Sequence, residues 1–212
     1  MAIELTEWVD RVFGQARPSD YEALIRHHAI CGPDEATLRR LIEVFENPAT
    51  ALKPYSDAVL NQAFWDLSGE AFPVVSDLAV DWALRSRVIR SFQTLFREFF
   101  AVRCAPTLGH LSEGGSALNS ACYMWWDFDC WLPAPDPLTR NPYDLAMLSS
   151  MRSILAIDHI ACKESALHGL GHWHHAQGSA VESIIDEFLK DEGGLPERLR
   201  EYAMNARRGY VL

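Results

Sequence analysis

Apolar residues recur at helical spacing along almost the whole chain. Trp8, Val9, Val12 and Phe13 form a first stripe within residues 3–14. Pro18-Ser19-Asp20 then opens a helix carrying Leu24, Ile25 and Ile30, and Gly32-Pro33 stops it. Asp34 is placed to cap the next one, which carries Leu38, Leu41, Ile42 and Phe45 up to Asn47-Pro48. Ser56 and Asp57 start a fourth, with Leu60, Phe64 and Leu67 on its apolar face. The longest periodic stretch, 73–104, predicts two helices, with one bent helix as the alternative. Pro106, Gly109, Gly114 and Gly115 mark a loop after it. Helices are predicted again from residue 116, then at Tyr143–Ile157, His159–His175, Ala180–Leu189 and Leu195–Ala206. The Pro-rich segment 132–142 between them predicts an irregular connection. No stretch alternates with period two for long enough to build a sheet.

The expected fold is therefore all-α, with about ten to eleven helices in a single domain over 1–212. A HEAT-like α-solenoid of antiparallel helix pairs is the first architecture, and a compact globular helical bundle the alternative. Leu-Gly-His occurs at 108–110 and again at 170–172, the one echo of a repeat.

Composition narrows the function classes. The chain of 212 residues has a formal net charge of −10, which disfavours a nucleic-acid surface and favours a basic protein partner. Its basic residues are mostly Arg, and Arg85, Arg87, Arg90, Arg97 and Arg103 are expected on a solvated face. The five Cys include no CxxC pair and read as free, mostly buried thiols. The opening MAIELTEWVD lacks a basic and apolar leader, and no apolar run approaches the roughly 18 residues that span a bilayer. A cytoplasmic setting without membrane contact is expected.

One segment concentrates chemistry. Residues 158–175, DHIACKESALHGLGHWHH, hold five of the eight His. On an ideal helix, His168, His172 and His175 fall about 40°, 80° and 20° from Glu164. Cys162, Ala166, Leu170 and Trp173 lie opposite. Such a stripe is a polar face, a partner- or ligand-facing groove, or a metal shell of Glu164, His168 and His172. Gly169 and Gly171 weaken the helix, and a break at Gly171 would scatter the stripe. His110 joins as the other Leu-Gly-His histidine, to line the same edge. Trp125 and Trp126 flank Asp127 in an aromatic cluster, with Asp127 expected to cap a helix or pair with Arg. A nucleophilic pair of Cys162 with a neighbouring His is conceivable. Phosphate-loop and serine-hydrolase signatures are absent.

The segments YSDAVLNQAFWDLSG (55–69), LFREFFAVRCAPTLGHL (95–111), LNSACYMWWDFDCW (118–131) and ACKESALHGLGHWH (161–174) together resemble a group of uncharacterised bacterial all-helical proteins. The resemblance implies a HEAT-like fold in a bacterial, cytoplasmic setting, and carries no catalytic residues with it. The leading functional expectation is a non-enzymatic protein or peptide interaction module with no cofactor. Its contacts would be Glu164, His168, His172, His175, His110, Trp125 and Trp126. The alternative is a metal-assisted hydrolase or lyase using the Glu/His stripe and one divalent metal.

Overall fold

A computed structural model describes residues 4–14, 35–70, 72–127, 140–191 and 194–211. The helix expected after Pro18, the pair His27-His28, the residues Phe128, Asp129 and Trp131, and most of the Pro-rich connection lie outside these. Every described element is helical. In chain order they are α1 (Leu5–Phe13), α2 (Glu35–Glu46), α3 (Asp57–Glu70), α4 (Trp82–Leu95), α5 (Leu118–Tyr123), α6 (Arg140–Leu155), α7 (Ile160–Asp191) and α8 (Glu197–Ala206), joined by single turns and short 3-10 segments. Among the described residues no helix is long and apolar enough to cross a membrane.

α1 buries Trp8, Val9, Val12 and Phe13, the stripe read from the sequence. Asp81 caps α4, its Oδ1 accepting from the Ala83 N–H at 2.8 Å and the Leu84 N–H at 3.3 Å. The stretch 73–104 is one bent helix preceded by a 3-10 turn, not two helices. α4 runs straight into a π-turn, Phe96–Phe100, and a final turn at Ala101–Arg103. Phe92, Phe96, Phe99 and Phe100, at i, i+4, i+7 and i+8, all face inward.

Those rings close around Trp125. Its centroid lies 5.4–6.1 Å from Phe45, Phe64, Phe72, Phe92, Phe96 and Phe100, drawn from α2, α3, α4 and the turns beside them. Truncating such an aromatic centre costs about 3–5 kcal/mol.

α7 packs on α5, α6, α8 and the 3-10 turn Met124–Asp127, while α2 packs on α4 and α4 on α6. Elements far apart in sequence thus share one core. The described residues form one packed all-α body.

α7 does not break at its glycines. It continues through Gly169 and Gly171 and departs from helical geometry only at Gln177 (φ −135°, ψ 37°). Each glycine admits a close neighbour. A Cβ on Gly169 would lie 2.5 Å from Trp126 Cγ, and one on Gly171 2.4 Å from Val211 Cγ1. The absence of a side chain at Gly169 draws α7 onto the turn that ends in Asp127.

The arginines of α4 do not form one solvated face. Arg87 is exposed and pairs with Glu46 through two hydrogen bonds of 2.8 and 2.6 Å. Arg85 is buried, its Nε donating to the Val75 carbonyl at 2.6 Å. Arg103 donates to the carbonyls of Leu52 and Tyr55 and pairs with Asp57.

Candidate metal centre

His168 and His172 are one turn apart on α7 and turn the same way. The close approach of α7 to Trp126 places the last residue of the turn, Asp127, against them. Asp127 Oδ1 lies 2.8 Å from His168 Nε2 and 2.5 Å from His172 Nε2. The two Nε2 atoms are 3.1 Å apart. Neighbouring ligands of a six-coordinate ion with bonds near 2.1 Å are separated by about 3.0 Å. The three atoms therefore have the spacing of one face of a coordination shell, which is also that of a hydrogen-bonded cluster. Among the described residues this is the one trio of His, Cys, Asp or Glu whose ligand atoms lie within 4.8 Å of one another.

Three acceptor-capable atoms this close need positive charge between them, as protons or as a cation. Burial pushes the Asp127 carboxyl up, but the hydrogen bonds and charge of His168 and His172 outweigh it and hold the group well below the usual carboxylate range.

The support behind the trio is built from two tyrosines. His168 is fully buried, with Nδ1 2.6 Å from the Tyr202 hydroxyl of α8. Tyr202 in turn meets the Tyr123 hydroxyl at 3.1 Å. The Tyr123 ring packs on His168 with centroids 4.5 Å apart. Burial raises both phenols above the usual tyrosine range, and Tyr202 rises further through its hydrogen bond to Tyr123. Both therefore remain neutral. An imidazole whose second nitrogen is held by an oxygen is the usual support of a metal-binding histidine.

Glu164 is not part of the trio. It is buried, and its carboxylate accepts the Gly109 N–H at 2.7 Å, the His110 N–H at 3.1 Å and the His110 Nδ1 hydrogen. These bonds consume it. The helical spacing put Glu164 on the correct face, but one turn too near the loop 104–116. That loop is fixed by Asn119, which accepts from the Ala105 and Ser116 N–H groups and donates to the Ala105 carbonyl and Thr107. Its free amides meet Glu164 first. The carboxylate beside His168 and His172 is that of Asp127 instead.

His110 joins the neighbourhood through Tyr202, their rings stacked with centroids 4.3 Å apart. His110 and His172 therefore border one site, linked through Tyr202 and His168. His175 is exposed and beyond it. Trp125 and Trp126 are fully buried and present no contact surface. Their role is to pin Asp127. The exposed side of the centre is made by His172, with 32% of its side chain accessible, and Asp127, with 20%.

Asp127 as a ligand and the two tyrosine supports were not identified in the sequence. The one available signal was a carboxylate directly after two tryptophans: both indoles are buried, and the carboxylate emerges at the core's edge.

No protein-family model matches the chain, and no curated protein or solved structure matches it.

Proposed function

We propose that the protein is a metal-dependent enzyme of the hydrolase or lyase type. Asp127, His168 and His172 hold one divalent first-row cation, and substrate approaches from the His172–Asp127 side. The observation that carries this reading is the meeting of three ligand atoms within 3.1 Å, backed by the Tyr202 hydrogen bond to the buried His168. A cation bound there would polarise a substrate oxygen or lower the pKa of a water. Tyr202 fixes the orientation of His168. Glu164 holds Nδ1 of His110, which leaves His110 Nε2 for proton transfer.

The interaction-module reading is less well supported by the geometry. Four of its contacts, Glu164, His168, Trp125 and Trp126, are buried. A bacterial, cytoplasmic setting and a basic partner remain compatible with the net charge of −10.

Metal content of tag-free protein purified from its native host tests the proposal. About one transition metal per chain is expected, with chelation lowering the melting temperature because bound metal stabilises the folded state. Asp127→Asn and His172→Gln should both lose the metal. The purified holoprotein is then assayed against p-nitrophenyl esters and phosphodiesters. Metal below about 0.1 per chain, with no change in melting on adding zinc, iron(II) or manganese, would sink the reading.

A further inference from the structure

The centre offers a divalent ion few ligands and little negative charge, and both restrict what else binds there. Asp127 Oδ1, His168 Nε2 and His172 Nε2 are the candidate ligand atoms, and among the described residues no further His, Cys, Asp or Glu joins them. Glu164 is held by the Gly109 and His110 amides and by His110 Nδ1. The Tyr202 hydroxyl is on Nδ1 of His168, the opposite edge of the ring from Nε2, and the Tyr123 hydroxyl is on Tyr202. An ion with three protein ligands keeps its remaining positions for water or substrate.

The spacing bears on how many positions remain. Asp127 Oδ1 lies 2.8 and 2.5 Å from the two Nε2 atoms, which are 3.1 Å apart. With bonds of about 2.1 Å, ligand atoms are about 3.0 Å apart on an octahedral face and about 3.4 Å apart on a tetrahedral one. The trio opens less to reach the octahedral face, and Tyr202 on Nδ1 holds the buried His168 ring against withdrawal. Six-coordination leaves three adjacent positions, on the side where His172 and Asp127 are exposed. Two imidazoles and one carboxylate with open positions suit iron(II), and oxygen-rich shells suit manganese(II).

Charge and geometry then select the occupant. Asp127 supplies one negative charge and the neutral imidazoles none, so a divalent ion keeps one positive charge that a bound oxygen anion would offset. Adjacent open positions also admit a chelate. Once the first oxygen is bound, the second binds at high effective concentration. A tetrahedral ion with these three ligands has a single open position and gains nothing from a second oxygen.

Resting on the metal reading above, we propose that Asp127, His168 and His172 hold a six-coordinate ion whose substrate is an organic acid chelating through its carboxylate and a neighbouring 2-hydroxy or 2-oxo oxygen. The third open position keeps a water.

The metal-free full chain is loaded with cobalt(II), whose visible absorption reports coordination number, and titrated with lactate by calorimetry. Acetate, with the same charge and no second oxygen donor beside its carboxylate, is the control. The expected spectrum has the weak bands of a six-coordinate ion, and lactate should bind about tenfold or more tighter than acetate while changing those bands. Intense bands of a four-coordinate ion, or equal affinities for lactate and acetate, overturn the proposal and leave the metal reading standing. A chain that binds no cobalt, or a folded His172→Gln protein that binds it as well as wild type, overturns both.

Discussion

The Tyr202 hydroxyl lies 2.6 Å from His168 Nδ1, joining α8 to the middle of α7. His168 is fully buried, so no water replaces this bond if it is lost. Tyr202→Phe is expected to destabilise the fold by about 1–3 kcal/mol through the unpaired imidazole nitrogen. It should also weaken metal binding about 10–100-fold. Urea unfolding of the metal-free protein and a competitive chelator titration measure the two effects separately. Full affinity in the variant would show that Tyr202 does not support the ligand.

Glu164 and Asp127 give opposite expectations. Glu164→Gln presents an amide to the Gly109 and His110 N–H donors and should cost about 1–3 kcal/mol in stability. Its metal content should match wild type. Loss of metal at undiminished stability would instead make Glu164 a ligand.

Gly169→Ala tests the contact that places Asp127. The new methyl would meet Trp126 at 2.5–2.9 Å. Overpacking of this kind costs about 1–3 kcal/mol, more than the roughly 1 kcal/mol that Ala gains over Gly within a helix. Gly114→Ala, with nothing within 4 Å of the added carbon, is the control and should stay within about 0.5 kcal/mol of wild type. Metal affinity should fall in the first variant and hold in the second. Equal melting temperatures would contradict the close approach.

Tyr55 supplies a pH-dependent prediction. Burial and its hydrogen bond to Asp10 push the phenol up to about 12. The folded protein then holds this proton more tightly than the unfolded chain, whose tyrosines titrate near pH 10. The stabilising contribution is fully present below about pH 10 and is lost as pH rises toward 12. Ultraviolet titration should show a late-ionising tyrosine that is missing in Tyr55→Phe. That variant should lose less stability than wild type between pH 9 and 11. Identical titration curves would refute the assignment.

The helices were legible because their apolar stripes bury against one core, as in α1 with Trp8, Val12 and Phe13. The His168–His172 pair was legible for the same reason, since four-residue spacing alone puts both on one face. Their carboxylate was not. Asp127 reaches them across the fold, and the approach depends on Gly169 meeting Trp126, a contact that periodicity does not encode. Arg85 fails in a similar way. In sequence it matches the exposed Arg87, and only the Val75 carbonyl opposite it explains its burial.

The unbroken run of α7 through both glycines makes Cys162 and His168 two points on one stiff rod, about 9 Å apart. A slide of α7 at its buried Cys162 end would act as a lever on the far point. The ligand atoms there are spaced within 3.1 Å, with no slack to absorb a slide. Cation occupancy at His168 and the packing of the first turns of α7 would then be read out through the same element, each shifting the equilibrium of the other by an equal free energy.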